Sequence, residues 1–174
     1  MSAETDRKHS RANERVRLTT MEADEQTRRM QEAVARRAYV IFESRGSASW
    51  HELEDWRQAE RELVSPSCCG LMVVGDSLWV GADTGVFEQG TIEIWVAPRK
   101  ITICGKPRVD KRAAQRTHIG RVPGTEMIFH VLDLSVGVDP SHVRVKFNGA
   151  SLEILLKKID DEPKAKRELK AVGA

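Results

Sequence analysis

The order of apolar and polar residues divides the chain into a helical N-terminal part and a β-rich remainder. Residues 143–147 alternate between apolar and basic side chains, which predicts a strand with one buried face. Asn148-Gly149 follows, and because both residues readily take positive φ, we expect a turn into a second apolar strand over 152–156. Just upstream, Asp139-Pro140 predicts a tight turn in which the carboxylate accepts from the backbone. A lone hairpin is marginal in water, so other strands must cover it.

Those strands are predicted upstream, where short apolar runs are separated by Gly and Pro turns. The runs are residues 71–74, 78–80, 92–96, 101–104 and 127–134. Within 92–96 the isoleucines and the valine share one face, and Glu93 and Trp95 share the other. Short strands without helices between them predict a mainly β fold, an antiparallel immunoglobulin-like β-sandwich over residues 71–159.

In the N-terminal part of the chain, apolar residues recur every three to four positions. Apolar side chains recur there at Met30, Val34, Ala38 and Ile41, which predicts an amphipathic helix. Gly46 is its expected C-terminal stop. The sequence therefore predicts a helical hairpin domain over 22–66, preceded by a flexible charged arm, 1–21.

The second helix of this hairpin is predicted from a start signal and from the spacing of its apolar residues. Ser49 and Glu52 fit a capping box at its start, and Leu53, Trp56 and Leu63 are expected along one side. We expect Tyr39, Trp50 and Trp56 to form the aromatic core of the hairpin rather than a ligand site.

The net charge of the whole chain indicates no particular partner, but one segment is strongly basic. The chain has 174 residues, enough for one sizeable core, and 31% of them are charged, yet the formal net charge is only +2. A basic segment lies between residues 97 and 125, where an exposed loop is predicted, and a charged tail covers 160–174. The basic residues of the loop are Arg99, Lys100, Lys106, Arg108, Lys111, Arg112, Arg116 and Arg121.

Several function classes receive no support from the sequence. No stretch is apolar enough to span a membrane and the first ten residues lack a signal-peptide core, so we expect a cytoplasmic protein without a membrane partner. Cys68, Cys69 and Cys104 have neither disulfide nor zinc spacing and are expected to be reduced thiols. Because no phosphate loop, HExxH or GxSxG motif occurs, we expect no enzyme, no cofactor and no metal site.

The hairpin resembles a known family. Arg36-Arg37-Ala38-Tyr39, Gly46 and the acidic run over 54–62 are similar to the R-R-A-Y helix end, Gly turn and D-W-x-x-A-E-x-E helix of a small bacterial domain family of unknown function. The resemblance, over about residues 30–64, implies a bacterial source and no particular activity.

The β-rich part resembles the alpha-crystallin domain of small heat-shock proteins over about residues 71–159. Residues 100–106, KITICGK, are similar to the family's L-T-I-x-G strand, and residues 138–143, VDPSHV, to its V-D-P-x-x-V segment. The Asn148-Gly149 turn and 152–157 resemble its N-G-x-L-x-I-x-L-P-K hairpin.

This resemblance implies an alpha-crystallin-like fold and a stress-response function as an ATP-independent holdase chaperone. Its partners would be partly unfolded client proteins and a second copy of the chain in a homodimer. The candidate client groove consists of Ile92, Ile94, Val143, Val145 and Phe147.

Three features depart from the family pattern. Ala150-Ser151 adds one residue before Leu152, which a β-bulge could accommodate. Lys157 stands where the family usually has proline. No I-x-I or V-x-V tripeptide follows Ile159, so we expect a dimer rather than a large assembly.

Two alternatives remain at the level of sequence. The five groove residues could simply fill the sandwich core. The protein could also be a non-enzymatic interaction adapter that binds through the helical hairpin or the basic loop 97–125, with nucleic acid as one partner class. No aromatic residue lies within that loop to stack on bases, which disfavours nucleic acid.

Overall fold

Two helices and nine strands make up the part of the chain that the computed structural model describes, which is residues 16–47, 50–66, 69–108 and 127–159. The helices are α1 (Ala23–Ser44) and α2 (Glu52–Leu63). The strands are β1 (Val16–Thr20), β2 (Val64–Pro66), β3 (Cys69–Val74), β4 (Ser77–Asp83), β5 (Ile92–Ala97), β6 (Lys100–Gly105), β7 (Ile128–Asp133), β8 (Val138–Phe147) and β9 (Ser151–Lys158).

The strands form two sheets. Sheet A has the order β1-β5-β6-β7-β2 and sheet B the order β3-β4-β9-β8. Neighbours within each sheet are antiparallel, except that β1 runs parallel to β5 and β2 runs parallel to β7. The mainly β sandwich with an N-terminal helical hairpin, predicted from the sequence, is confirmed.

The hairpin of β8 and β9 turns where the sequence predicts. Gly149 has φ +83°, and the Asn148 N–H donates to the Ser151 carbonyl at 2.9 Å. The irregularity in this hairpin lies between Val138 and Val143, however, and not beside Ala150. The bulge suggested for Ala150-Ser151 is therefore wrong, because Phe147 pairs with Leu152 and the additional residue lies in the turn between them.

The inner faces of the two sheets form the main core. Its fully buried side chains come from alternate positions of facing strands, as the period of two requires. They include Ile92 and Ile94 of β5, Ile101 and Ile103 of β6, and Leu152, Ile154 and Leu156 of β9.

The outer face of sheet A is covered by the helices, so the molecule has three layers. Trp95 and Phe129 of this face lie with ring centroids 5.8 Å apart and are buried. Met30, Val34, Ile41, Ala59 and Leu63 of the helices pack against them. The helical hairpin thus shares its core with the sandwich.

The two helices contact each other through charge and small side chains, which corrects the expected aromatic core. Tyr39, Trp50 and Trp56 are exposed, Trp50 by 91%. Instead, Arg37 Nε lies 2.6 Å from Glu62 Oε2, and Ala59 is fully buried between the layers. The reason is that the apolar stripes of both helices face sheet A, which leaves the aromatic residues on the other side.

The ends of the helices agree with the sequence only in part. Gly46, at φ +78°, follows α1 as predicted. The N-cap of α2 is His51 and makes no side-chain capping bond, so the capping box of Ser49 and Glu52 is wrong as the start of this helix. Ser49 itself lies outside the described residues.

Within the predicted arm 1–21, residues 16–20 form β1, and residues 1–15 lie outside the described residues. The tail 160–174, most of the basic loop and Cys68 lie outside the described residues. Cys104 is buried in β6, and Cys69 is half-buried at the start of β3. None of the helices in the described ranges is long and apolar enough to cross a membrane.

Candidate interaction site at the sandwich edges

The five predicted groove residues lie together on one side of the sandwich. Ile92 and Ile94 come from β5, and Val143, Val145 and Phe147 come from β8. The isoleucines and Phe147 are buried in the main core, while the two valines are half-buried against it. The structure thus brings them together as core residues and not as the lining of an open groove.

Strand β1 covers this side of the sandwich. Val16 pairs with Ile92 and Leu18 with Ile94 along the β5 edge. At its C-terminal end the Thr20 hydroxyl donates to the Pro140 carbonyl at 3.2 Å, which links β1 to β8. The edge of β5 is therefore already paired with the chain's own residues.

The edge of sheet B at β3 is different, because its apolar side chains are exposed. Leu71, Met72, Val73 and Val74 are 46%, 57%, 56% and 54% exposed. Among the described residues β3 pairs only with β4, so one row of its backbone N–H and C=O groups has no strand beside it. Natural edge strands are usually protected by charge, proline or a bulge, and β3 carries no such protection over Cys69–Val74.

The two faces of β3 have different neighbours. Leu71 pairs with Val80 and Val73 with Leu78, so these residues extend the buried face of sheet B. On the outer face, Met72 pairs with Trp79 and Val74 with Ser77. Both faces of the edge thus present apolar groups to an added strand.

The Trp79 side chain covers part of the outer face of sheet B near the β3 edge. Gly70 and Gly81 are opposite each other in the ladder, and the indole lies over both. A Cβ at Gly81 would clash with the ring, whereas one at Gly70 would make an ordinary contact. The glycines therefore leave room for the indole on the outer face of sheet B, where Trp79 pairs with Met72.

The basic residues predicted for one loop lie at two ends of β6. Arg99 donates to the Ser135 carbonyl at 3.3 Å, and Lys100 donates to the Thr27 hydroxyl at 3.3 Å. Lys106 and Arg108 are exposed at the opposite end of the strand. Lys111, Arg112, Arg116 and Arg121 lie outside the described residues. The four described residues do not form a single patch.

The titratable groups are explained by their local surroundings. Burial raises the pKa of the Cys104 thiol, which therefore stays neutral. Burial lowers the pKa of His130, which packs 4.9 Å from Phe87 between ring centroids. Hydrogen bonds from the side chain and backbone of Ser141 and from His142 lower the pKa of Asp139 to about 2. These groups carry structural roles in the three strands β6, β7 and β8, and the tight turn predicted at Asp139-Pro140 is part of β8.

A metal ligand set is not assembled in the described ranges, where no three His, Cys, Asp or Glu side chains come together. His51, for example, has its Nδ1 2.7 Å from Glu54 Oε2 in a local pair at the start of α2. The candidate interaction site consists of the exposed apolar residues 71–74 at the β3 edge. The four consecutive apolar residues were visible in the sequence, but not their exposure.

Comparison with known families gives one match, to a model described as "Protein of unknown function (DUF2934)", over residues 29–64. These residues nearly coincide with the hairpin resemblance seen in the sequence. The description assigns no activity, and the match covers less than half of the chain. No curated protein matches the chain.

Solved structures similar to this chain include small heat shock proteins. Heat shock protein 16.0 from Schizosaccharomyces pombe has a TM-score of 0.43 at 13% identity and covers 55% of this chain and 68% of its own. HspA from Xanthomonas axonopodis has a TM-score of 0.42 at 13% identity, covering 54% and 94%. At these scores the similarity establishes no activity, and the sandwich assignment rests on the chain's own sheet topology.

Proposed function

We propose that this protein is a small heat-shock-protein-like, ATP-independent holdase that binds extended apolar segments of partly unfolded proteins. The observation that carries this proposal is the unprotected edge of β3, with four consecutive exposed apolar residues. The motifs over 71–159 that resemble the alpha-crystallin domain support the same function.

Strand addition is the physical basis of the binding. An extended client segment laid along β3 gains main-chain hydrogen bonds from the backbone groups of residues 71–74 that point away from β4, and apolar contacts from the side chains. The main-chain hydrogen bonds do not depend on the side chains of the client segment. Binding of this kind needs no nucleotide and no chemical step, so the proposed function is not enzymatic.

The groove residues Ile92, Ile94, Val143, Val145 and Phe147 are proposed as a second contact region, reached when β1 leaves the β5 edge. β1 supports this role because it is only five residues long and pairs in parallel, an arrangement slightly less stable per residue than antiparallel pairing. While β1 is in place, the β3 edge is the accessible one.

The direct test is suppression of thermal aggregation of a thermolabile client, followed by light scattering. Wild-type protein is expected to suppress aggregation at near-stoichiometric ratio, and Val73→Lys to lose most of this protection, because a charge on an edge strand opposes strand addition. Val86→Lys is the matched control, since Val86 is 48% exposed but lies in a turn. Absence of protection by wild-type protein at roughly tenfold excess would refute the proposal.

A homodimer is the proposed assembly, and its mass would be twice the 19.6 kDa of the chain. Multi-angle light scattering over a concentration series measures this directly. Detection of the monomer alone at every concentration would refute the proposed dimer, but would not contradict client binding by a single chain.

An interaction adapter is the second candidate, favoured by the exposed aromatic residues of the hairpin. Leu53 and Trp56 are exposed in the first turns of α2, and Trp50 is exposed just before this helix. The nucleic-acid version is tested by fluorescence polarisation with a labelled duplex across a salt series. Absence of binding, or binding that does not change with salt, excludes it.

A further inference from the structure

We infer that the β3 edge selects client segments in which apolar residues are consecutive, and discriminates against strands in which apolar and polar residues alternate. This inference rests on the proposed function and names the class of segment that the edge accepts. In folded proteins such consecutive runs are typical of strands buried on both faces.

The selection follows from the two faces of the edge. Successive side chains of an added strand point to opposite faces of the sheet. Those on the inner face come beside Leu71 and Val73, which extend the apolar row of Val80 and Leu78. A polar side chain there would lie at the open margin of the core.

Side chains on the outer face come beside Met72 and Val74. Here the sheet is also apolar, because the Trp79 indole lies next to Met72 and continues the row to Leu155 on β9. An alternating strand can satisfy one face only, since a shift by one residue moves all of its apolar side chains to the other face. A consecutive apolar run satisfies both faces in either register.

The charges around the edge agree with this class of segment. Over Cys69–Val74 the strand has no charged residue, and Asp76 and Lys157 lie only at its turn end. An acidic or basic residue in the middle of a bound segment would find no ionic partner on β3. The best segment is therefore an uncharged apolar run with its polar residues outside the paired region.

The expected preference in affinity for a consecutive apolar segment comes from contacts on the outer face of the sheet. A favourable cross-strand apolar pair contributes up to about fivefold in affinity, so the contacts at Met72 and Val74 together correspond to roughly tenfold. Because the outer face is open to water, a polar residue there loses contacts but keeps its hydration. We expect a preference of this order and not an absolute exclusion.

The experiment uses two short fluorescein-labelled peptides of identical composition with the full-length protein. In one peptide the apolar residues are consecutive and flanked by polar residues, and in the other they alternate. Fluorescence polarisation is expected to show roughly tenfold tighter binding of the consecutive peptide. In the Met72→Thr/Val74→Thr variant, which keeps strand-forming residues, this preference should fall to within about twofold.

The control variant is Val86→Thr, which makes the same chemical change at an exposed apolar residue off the edge. It should retain the preference. Circular dichroism and thermal unfolding establish that each variant is folded before the peptides are compared.

The outcomes separate this inference from the proposed function. Equal affinity for both peptides would show that β3 does not use both faces of the sheet to select the bound segment. That result would overturn the inferred selection but would not contradict the proposed holdase activity. Failure of both peptides to bind, together with unchanged client protection in Val73→Lys, would overturn the role of the edge itself. If Met72→Thr/Val74→Thr instead converts a dimer into a monomer, the edge is covered by a second copy and the inference is wrong.

Discussion

Replacing Gln26 by leucine tests whether the helical layer and the sandwich fold as one unit. The Gln26 side chain is fully buried at the start of α1. Its Nε2 donates to the Met21 carbonyl at 2.9 Å, and its Oε1 accepts from the Thr102 hydroxyl of β6 at 2.8 Å. One amide group thus connects the helix, the segment that follows β1 and the centre of sheet A.

The expected cost follows from what leucine leaves behind. The Thr102 hydroxyl and the Met21 carbonyl would each lose a buried hydrogen-bond partner, at about 1–3 kcal/mol each, so Gln26→Leu should destabilise the protein by about 2–6 kcal/mol. Thr102→Val removes only one of the two bonds and should cost about 1–3 kcal/mol. Because the two residues share a hydrogen bond, the double variant should cost less than the sum, by about 1 kcal/mol.

The measurement is a double-mutant cycle from urea unfolding, followed by far-UV circular dichroism and by tryptophan fluorescence. Gln58→Leu is the matched control, because Gln58 is exposed on α2 and bonds only across the helix surface to Glu62; it should change stability by less than about 0.5 kcal/mol. The two probes should give one transition, since a hairpin that shares its core with sheet A unfolds with it. A coupling energy near zero, or a separate helical transition, would refute the reasoning.

Two further predictions concern the β3–β4 ladder and the contact between the helices. Gly81→Ala should displace the Trp79 indole, shift its emission to longer wavelength and cost about 1 kcal/mol, whereas Gly70→Ala should leave the emission unchanged. For Glu62, burial alone would raise its pKa, but hydrogen bonds from Arg37 and Gln58 outweigh burial and lower it from the ordinary 4.5. The stabilisation by this ion pair is therefore complete above about pH 4.5 and lost as the pH falls through the lower folded pKa. Glu62→Gln should destabilise the protein by about 1–2 kcal/mol at neutral pH, and this destabilisation should shrink in acid. A difference in unfolding free energy between wild type and variant that stays constant with pH would contradict the prediction.

The sequence predicts the sandwich strands well because their signal is local. The apolar runs 92–96 and 101–104, for example, became strands whose ends differ from the predicted ones by at most one residue. The turn at Asn148-Gly149 has the same origin, since its geometry depends on two residues alone.

The short parallel strands could not be predicted in this way. β1 has five residues and β2 has three, and both pair with strands more than sixty residues away. Too few residues alternate in either segment to give a periodic signal, and parallel partners are not joined by a recognisable turn. Residues 16–20 were therefore predicted as part of a flexible arm.

The candidate site was missed for a related reason. Four consecutive apolar residues at 71–74 predict a buried strand, and only the strand order shows that they lie at an edge. The aromatic residues of the hairpin were misplaced because their spacing fits a helix face, but the sequence does not show which face meets the sheet.

The placement of β1 and β2 on opposite margins of sheet A has a consequence for how this protein could have been inherited. The helical hairpin, which matches a separate family, lies between these two strands in the sequence. The chain therefore joins sheet A as an edge strand immediately before and immediately after the hairpin. Trp95, Cys104 and Phe129 would face water without that unit. The hairpin is therefore no independent appendage here: a gene rearrangement that removed it would also have to replace the outer surface of the sandwich, so the two parts are expected to persist or disappear together.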